Sequence, residues 1–406
     1  MKRLLWLGSF MDEQTCQTMI SQGYKNMSSY VSQKNILEGI EVQTGLTFDS
    51  VNAVAMAGFP VQGGLSLKSY NYSHKDGAKD VLTGYFNPLY LNKLFMKNSM
   101  VRAVKRWISQ CYMEGDELDV FIYEMRSACI DSAVYIKKRI PQARIHLIIP
   151  DIPFFMDLNM GILKRTLKKI DIDHMIKRFE YITDFIPYTE TMVDYLGIRD
   201  REWLVMEGSL NKTDIEGITS AVDKVSGSKP DKKIIMYSGW INQQFGIDAL
   251  VDAMDHLDDS YVLKITGGGP YEQGLREKVK DNPKVDYIGF LPTREELFAV
   301  QAQASVMMNM RDPGNEATDY YFPSKLFEYM LVGVPVLSVS SKGIPDEYLK
   351  YIYEFKSIEP QQIAQAIENV LDDDQRIEKA KAGRKFIEEE KNNYVMAQKI
   401  LQFIER

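Results

Sequence analysis

Two neighbouring stretches indicate the fold most strongly: VMMNMR at residues 306–311 and FPSKLFEYMLVGVPV at residues 322–336. The first is short and apolar, as is typical of a buried strand that ends in a polar loop. The second begins like a helix, with Ser324 as a good N-terminal cap. Gly333 and Pro335 then end that helix before another apolar run. The pattern predicts a strand–loop–helix–strand unit.

The same alternation recurs along the whole chain, which predicts an α/β protein with parallel sheets covered on both faces. A polar stretch at 223–232 separates two series of strands and helices. We therefore predict two Rossmann-like, doubly wound domains, residues 1–200 and 201–387, and a last helix at 388–406. The predicted strands are Leu4–Leu7, Asp119–Tyr123, Ile145–Ile149, Phe185–Pro187, Lys233–Ser238, Tyr261–Thr266, Val285–Gly289, Val306–Met310 and Val336–Val339.

The composition is that of an ordinary globular protein: 406 residues, 45% of them hydrophobic and 26% charged. No apolar run is long enough to cross a bilayer. The three cysteines are few and odd in number, and the four histidines lack metal-ligand spacing. These features argue for a cytoplasmic location and against a metal site. Residues 1–205 carry 25 Lys and Arg against 23 Asp and Glu, and the remainder carries 24 against 33, which excludes a nucleic-acid-binding balance.

Two charged residues near the start of the 322–336 helix are candidates for ligand binding. Lys325 lies in the first turn, where a cation is unfavourable against the helix dipole unless a phosphate is nearby. Glu328 does not occupy the capping-box position, and its carboxylate could accept two hydrogen bonds from a vicinal diol such as ribose. A solvated helix charge with an ordinary cap explains the spacing equally well.

Other candidates follow predicted strands, where open parallel sheets bind their ligands. In the second half, Gly239 would let a diphosphate approach the backbone, and Gly267–Gly269 form a tight loop. In the first half, the residues that could face a cleft are Gly8, Ser9, Arg126 and Asp151. Ordinary turns and helix caps account for each of these positions as well.

A basic stretch at Ile162–Ile170 is apolar at helical spacing, with Lys177 and Arg178 beyond it. Such a helix is typical of a peripheral contact with an anionic membrane surface, and equally of a solvated face.

Taken together and in order, the motifs resemble the donor domain of a family 4 glycosyltransferase with the GT-B fold, of the bacterial capsule and exopolysaccharide type. The likeness covers about residues 233–340. It implies two domains facing across a cleft, with the last helix packing back on the first domain. It also implies a metal-independent, retaining hexosyltransferase without a cofactor. A UDP- or GDP-linked sugar would be passed to a saccharide or lipid-linked acceptor at the inner face of the membrane.

The resemblance also implies roles for single residues. Glu328 would hold the ribose hydroxyls, and Ser324 and Lys325 would face the diphosphate or the donor sugar. Gly268, Gly269 and Phe290 would line the base pocket, Gly239 would let the diphosphate pass, and Gly8 and Ser9 would line the cleft from the acceptor side.

The sequence departs from this family where cations usually flank the diphosphate. Gly239-Trp240 stands in place of Gly-Arg, and Phe245-Gly246 in place of Lys-Gly. Arg311 and Lys325 are therefore the predicted substitutes, and with Glu328 they are the predicted catalytic residues. The missing cations also motivate an alternative, a non-catalytic GT-B partner of an active transferase. A sugar-nucleotide epimerase of the same fold would need more acid–base groups than the sequence offers.

Overall fold

The computed structural model describes residues 1–21, 24, 27–156, 161–225 and 231–406, and these form two compact units. Unit 1 comprises Met1–Ser209 with Asn393–Arg406, and unit 2 comprises Leu210–Asn392. Residues 226–230 of the predicted polar linker lie outside the described residues. Each unit is an α/β layer structure, which confirms the predicted fold class. In the described part of the chain, no helix is both long and apolar enough to span a membrane.

Unit 1 is built on a sheet that, over the described residues, has seven strands in the order β3-β4-β2-β1-β5-β6-β7. All neighbours are parallel except β3 and β4. The strands are β1 Lys2–Gly8, β2 Phe48–Asn52, β3 Tyr70–Tyr72, β4 Asp80–Leu82, β5 Glu117–Tyr123, β6 Arg144–Ile149 and β7 Asp184–Pro187.

Strand β2 was not predicted, because its sequence FDSVN is too polar to read as a buried strand. Its polar side chains are nevertheless buried, since they bond to one another and to β4. Ser50 Oγ donates to Asp80 Oδ1 at 2.6 Å, and Asn52 Nδ2 donates to Ser50 Oγ at 2.8 Å. A satisfied polar network therefore replaces the apolar run that the sequence signal requires.

Seven helices of unit 1 cover this sheet in the described residues. They are α1 Glu13–Ser21, α2 Met27–Thr44, α3 Asn92–Cys111, α4 Ser127–Arg139, α5 Ile162–Ile176, α6 Glu190–Leu196 and the last helix of the chain, α15 Asn393–Ile404. Helix α15 packs on α2, where a Cβ at Gly39 would lie 2.3 Å from the carbonyl oxygen of Asn393. Only glycine permits that backbone approach.

Unit 2 is built on a parallel sheet of six strands, counted over 210–225 and 231–392, in the order β10-β9-β8-β11-β12-β13. The strands are β8 Lys233–Ser238, β9 Tyr261–Thr266, β10 Val285–Gly289, β11 Val306–Asn309, β12 Val336–Val339 and β13 Tyr353–Phe355. The helices are α7 Lys212–Val225, α8 Ile247–Ala253, α9 Glu272–Val279, α10 Arg294–Gln301, α11 Lys325–Val332, α12 Asp346–Leu349, α13 Pro360–Asp372 and α14 Arg376–Glu390. Apolar clusters pack against the sheet in this unit.

The strand order of each sheet reverses at one point. In unit 1 the chain builds outward from β1 on one side and from β5 on the other. In unit 2 the reversal lies between β8 and β11. Loops leaving the carboxyl ends of such strands diverge and open a crevice, which is where doubly wound sheets bind ligands.

A buried charge network joins β4 to helix α2 in unit 1. His74 Nδ1 lies 2.7 Å from Asp80 Oδ2, and His74 Nε2 lies 3.2 Å from Glu41 Oε1. Burial alone would lower the pKa of His74, but the bonds to Asp80 and Glu41 outweigh it and raise the pKa to about 9. Burial conversely favours a higher pKa for Glu41, and bonds from His74 and Phe48 lower it. His74 is therefore a cation between two carboxylates at neutral pH.

We expect His74→Gln to destabilise unit 1 by about 3 kcal/mol at pH 6, because two carboxylates lose their shared cation. The protonated His74 stabilises the fold by its full amount below pH 6.5, the pKa of histidine in the unfolded chain. This stabilisation is lost as the pH rises to about 9, the pKa of His74 in the folded protein. The difference between wild type and variant should therefore shrink across that interval. Urea unfolding at several pH values measures it, with the exposed His256→Gln as control. A difference that does not change with pH would contradict the assignment.

Candidate functional site

The loops that follow β8 and β9 pack backbone against backbone in unit 2. The Gly239 amide donates to Thr266 O at 3.0 Å, and the Ile241 amide donates to Gly268 O at 3.1 Å. A Cβ at Gly267 would lie 1.8 Å from Gly239 O, and one at Gly269 would lie 2.2 Å from Ile241 O. These two glycines are therefore required by the packing of the loops, whether or not a ligand binds there.

Gly239 and Gly268 differ from these two because the protein itself leaves them room for a side chain. A Cβ at Gly268 would meet only Glu272 Oε2, at 3.8 Å. The atom nearest to a Cβ at Gly239 would be the hydroxyl oxygen of Tyr237, at 3.5 Å, which is an ordinary van der Waals contact. Close packing thus does not explain these two glycines, and their predicted role beside a donor stays a prediction.

Arg311 follows β11 on the other side of the strand-order reversal from Gly239. Its guanidinium carbon lies 4.1 Å from the centre of the Phe245 ring, a cation–π contact. Burial lowers the pKa of Arg311, and the nearby hydroxyls of Tyr237 and Tyr329 oppose that shift. An arginine in such a site still stays charged at neutral pH. In the described residues, no carboxylate lies within ion-pair distance of it.

The stacking of Arg311 on Phe245 concerns one of the two positions where the sequence differs from the expected family motif. Phe245 occupies the place where the resemblance implies a lysine, and its ring carries the guanidinium of Arg311. A positive charge is therefore present beside this position, although it comes from a different strand end. Trp240, in the place of the expected arginine, is 58% exposed.

The start of helix α11 differs from the prediction for Ser324. This residue is already helical, with φ −52° and ψ −21°, and its side chain makes no capping hydrogen bond. The predicted side-chain cap is therefore wrong. The first turn is closed instead by the backbone, where the Leu326 amide donates to Pro323 O at 2.8 Å. The Ser324 side chain is left exposed at the helix start.

Lys325 and Glu328 form an ion pair, with 2.6 Å between Lys325 Nζ and Glu328 Oε2. This pairing gives Lys325 a reason to lie in the first turn without any phosphate. Across the described part of unit 2, the second carboxylate oxygen, Glu328 Oε1, has no hydrogen-bond partner. Both side chains are partly exposed, so an incoming hydroxyl or phosphate could reach them.

Tyr329 connects the start of α11 to the end of β8. Its hydroxyl donates to the Ser238 carbonyl oxygen and accepts from the Ser238 amide, the latter at 3.2 Å. Burial raises the pKa of Tyr329 well above its usual value. The charge of Glu328 adds to this shift in pKa, and the charge of Arg311 opposes it. The structure thus brings Arg311, Glu328 and the end of β8 together around one buried tyrosine.

Phe290 is the third element on this edge of the sheet. It follows Gly289, whose φ is +87°, and its side chain is 75% exposed. The Gly289 carbonyl oxygen accepts from the Gly267 amide at 3.0 Å, so Phe290 adjoins the glycine loop. An exposed aromatic ring beside an open backbone is suited to stacking with a base.

In unit 1, Gly8 and Ser9 lie at the end of β1 and pack against Gln33 of α2. The Ser9 amide donates to Gln33 Oε1 at 2.9 Å, and Gln33 Nε2 donates to Ser9 Oγ at 2.8 Å. A Cβ at Gly8 would lie 2.3 Å from Gln33 Oε1. Packing therefore explains both residues, and Ser9 is buried. Their predicted place on the acceptor side stays a prediction.

Arg126 and Glu124 lie at the end of β5, across the strand-order reversal from Ser9. Glu124 has a φ of +72°, a strained conformation for a residue other than glycine. Its Oε2 lies 3.1 Å from Arg126 Nε, and its Oε1 accepts from the Ser29 hydroxyl. Arg126 Nη1 donates to Ala53 O at 3.0 Å, whereas its Nε and Nη2 are buried without a well-aligned acceptor. Buried N–H groups without a partner are rare in folded proteins, which sets Arg126 apart from an ordinary buried arginine.

Asp151 and Tyr24 complete this cluster of titratable groups. Burial raises the pKa of Asp151 to about 7, and the charge of Glu124 adds to the shift. Burial and Glu124 also raise the pKa of Tyr24 to about 12, against the opposing effects of Arg126 and a hydrogen bond with Ser9. The predicted residues Ser9, Arg126 and Asp151 therefore share neighbours, and Glu124 and Tyr24 were missed. Glu124 directly follows a predicted strand, but its backbone conformation cannot be read from sequence.

Residues 219–392 match the family of proteins described as Glycosyl transferases group 1. The matched segment lies inside unit 2 and ends at the last residue of that unit. It contains Arg311, Glu328 and the glycine loop. No curated protein sequence matches the chain.

Solved structures similar to both units show that the chain has the GT-B fold. Sucrose-phosphate synthase from Thermosynechococcus elongatus is 13% identical, with a TM-score of 0.65 over 99% of this chain and 98% of that chain. HepE from Anabaena, solved with UDP, is 12% identical, with a TM-score of 0.60 and 99% of both chains covered. A UDP-forming α,α-trehalose-phosphate synthase from Burkholderia xenovorans, solved with glucose-6-phosphate, is 11% identical, with a TM-score of 0.60 over 99% of this chain and 100% of that chain.

We expect Asp151→Asn to stabilise unit 1 at pH 8 by about 2–4 kcal/mol, because the surroundings of Asp151 disfavour its charged form and asparagine carries no charge. Because the pKa of Asp151 is higher in the folded protein than in the unfolded chain, the wild type is destabilised by the full amount above about pH 7. This destabilisation disappears as the pH falls toward 3.8, the pKa in the unfolded chain. The gain should therefore fade as the pH is lowered from 7 to 4. Thermal unfolding at several pH values measures it, with the exposed Asp255→Asn as control. An Asp151 variant that is less stable than wild type at pH 8 would contradict the raised pKa of Asp151.

Proposed function

We propose that this protein is a glycosyltransferase that takes a sugar from a nucleotide diphosphate donor held by unit 2 and passes it to an acceptor held by unit 1. The observation that carries the proposal is the guanidinium of Arg311, a partly buried cation that stacks on Phe245 and lacks a carboxylate partner within the described residues. Burying an unpaired charge is costly, so such a cation is best explained by an anionic ligand. The match of residues 219–392 to group 1 glycosyl transferases supports the same reading.

The ligand that fits unit 2 best is a nucleoside diphosphate sugar. Arg311 would offset the charge that develops on the diphosphate as it leaves, and Lys325 would add to it after loosening its pair with Glu328. Glu328 Oε1 would accept from a ribose hydroxyl, and Phe290 would stack on the base. Gly239 and Gly268 would leave the backbone open to phosphate and base. UDP is the first candidate nucleotide, since HepE was solved with it, and GDP is the second.

The chemistry proposed is transfer with retention of configuration at the anomeric carbon. The bond from that carbon to the diphosphate oxygen breaks, and a bond to the acceptor oxygen forms on the same face of the sugar. The acceptor proton passes to the leaving phosphate, so no strong protein base is required. We propose that no metal takes part, because two cationic side chains are available.

The acceptor proposed for unit 1 is a saccharide, free or lipid-linked. Arg126 Nε and Nη2 offer two buried donors, and Glu124 and Asp151 offer acceptors for sugar hydroxyls. The place in metabolism proposed is capsule or exopolysaccharide synthesis at the cytoplasmic face of the membrane. The exposed cations of α5, among them Lys164 and Lys169, support contact with that surface.

A second candidate function is a non-catalytic partner of an active transferase. The observation that favours it is Trp240, an exposed aromatic residue where the resemblance implies a diphosphate-binding arginine. Such a partner need not bind a nucleotide. The two candidates are therefore separated by a binding measurement on the isolated chain.

We expect the wild-type protein to bind UDP or GDP with a dissociation constant in the micromolar range, and Arg311→Met to weaken that binding by about 30-fold or more. Methionine keeps the contact with Phe245 but removes the charge. Glu328→Ala should also weaken binding, because it removes the ribose acceptor. Isothermal titration calorimetry with both nucleotides gives these values.

Arg294→Met is the matched control for Arg311→Met, because Arg294 is an exposed arginine of unit 2 whose partner is Asp214. It should bind the nucleotide as the wild type does. No binding of either nucleotide to folded wild-type protein would favour the non-catalytic partner. Equal binding by Arg311→Met and wild type would remove Arg311 from the site.

We expect Arg126→Met to leave nucleotide binding within about twofold of wild type while reducing transfer at least about 100-fold, because it removes two charged donors from the acceptor cluster. Transfer is measured as radiolabelled sugar moved from UDP-glucose to a lipid-linked saccharide fraction. Arg139→Met, a change in the last turn of α4, serves as control. A parallel loss of nucleotide binding would mean that Arg126 acts on the fold or the donor instead.

A further inference from the structure

Unit 1 exposes a group of large apolar side chains that the proposed reaction does not use. They lie on two loops, one after β2 and one between β4 and the first turn of α3. We name this group the apolar tip, defined by Phe59, Val61, Leu65, Tyr90, Leu91 and Leu94. Val61 is 69% exposed and Leu91 is 54% exposed. Contiguous apolar patches of this kind usually mark a docking surface.

The two loops of the apolar tip are held firmly to each other. The Phe59 amide donates to Asn87 O at 2.7 Å, and the Leu89 amide donates to Phe59 O at 3.3 Å. The Asn87 side chain donates to Gly64 O at 3.2 Å. A Cβ at Gly58 would lie 2.4 Å from Leu89 Cα, so the backbones touch. The exposed apolar side chains therefore lie on two loops whose backbones are held together by hydrogen bonds.

Cations flank the apolar tip. Lys93, in the first turn of α3 next to Leu94, pairs with Asp171 of α5, with 2.8 Å between Nζ and Oδ2. This ion pair places α5 beside the tip. Helix α5 carries the exposed cations Lys164, Arg165 and Lys169 together with the exposed apolar residues Ile162 and Ile170.

We propose that the apolar tip and helix α5 together form a docking surface for an anionic lipid bilayer, with the tip entering the interface and the cations of α5 contacting the headgroups. Apolar side chains bordered by Lys and Arg are complementary to such a surface, because burial and charge attraction act together. With the apolar tip included, the proposed contact with the membrane involves more of unit 1 than helix α5 alone.

The docking surface lies at the same edge of the sheet as the acceptor cluster. The loop that carries Val61 and Leu65 begins at Ala53, whose carbonyl oxygen accepts from Arg126 at 3.0 Å. The hydroxyl of Tyr85, on the other loop, donates to Val54 O at 2.7 Å. An acceptor anchored in the bilayer would therefore be presented next to Arg126. The docking itself does not depend on the proposed reaction.

Vesicle binding by the full chain tests the apolar tip. Vesicles of phosphatidylcholine with about one third phosphatidylglycerol are compared with pure phosphatidylcholine in co-sedimentation, where the anionic vesicles should bind more tightly. The double variant Val61→Glu, Leu91→Glu should bind anionic vesicles at least about tenfold more weakly. The matched control is Val42→Glu, Met113→Glu, because these residues are 58% and 59% exposed in unit 1 and lie outside the tip. It should bind within about twofold of wild type.

A second pair of variants tests the charges. Lys164→Ala, Lys169→Ala should weaken binding to anionic vesicles by about tenfold or more at low salt, since each lysine near such a surface contributes about fivefold. Raising the salt concentration should remove most of this difference. The control with the same change of charge is Lys342→Ala, Lys356→Ala in unit 2, which should bind as wild type does.

Three outcomes would overturn the docking surface. Wild type would fail to bind anionic vesicles, or the Val61, Leu91 variant would bind as well as wild type. The third is a concentration-dependent dimer that this variant dissociates while vesicles remain unbound, which would assign the face to contacts between copies of the chain. Circular dichroism and a UDP titration of every variant separate a folding defect, or a failure of the proposed donor site, from a loss of docking.

Discussion

The reversal of strand order in each sheet is the constraint on which both clusters depend. At this point two neighbouring strands send their loops in opposite directions, so that no crossover helix covers the carboxyl ends between them. Each unit places one arginine there, Arg126 after β5 and Arg311 after β11. In unit 2 the neighbouring backbone packs so closely that glycine is required at Gly267, and in unit 1 a Cβ at Gly8 would meet the side chains of Gln33 and Trp6. Each arginine therefore lies beside a crevice on one side and closely packed residues on the other.

The two arginines are stabilised differently. Arg126 has a carboxylate partner in Glu124, and that partner adopts a left-handed backbone conformation which costs about 1–3 kcal/mol. Arg311 has no such partner in the described residues and lies instead on an aromatic face. A cation on a ring keeps most of its charge available to a ligand, whereas a cation in an ion pair shares it. This difference agrees with the proposal that unit 2 binds a diphosphate and that unit 1 recognises its acceptor through hydrogen bonds.

Much of the fold could be predicted, because short apolar runs alternate with helix-length stretches in both halves. Strand β2 escaped, since its buried Ser50 and Asn52 are satisfied by partners that lie far away in sequence. Arg126 and Arg311 could be singled out as candidates from the sequence, because each lies two or three residues after the end of a strand. Contacts formed only in three dimensions could not be read. Examples are the backbone strain at Glu124, the pairing of Lys325 with Glu328, and the seat of Arg311 on Phe245.

The position of Phe245 has a consequence for how transferases of this fold are sorted into active and inactive forms. A column-by-column comparison would score the phenylalanine as a lost catalytic lysine and place the chain among pseudoenzymes. In space, the same region keeps a positive charge, because the guanidinium of Arg311 rests on that ring. Electrostatic stabilisation of a ligand depends on where a charged group lies in space, whichever loop carries it. The positions of charged side chains around the crevice are therefore a better guide to activity than the residue types found at the motif positions.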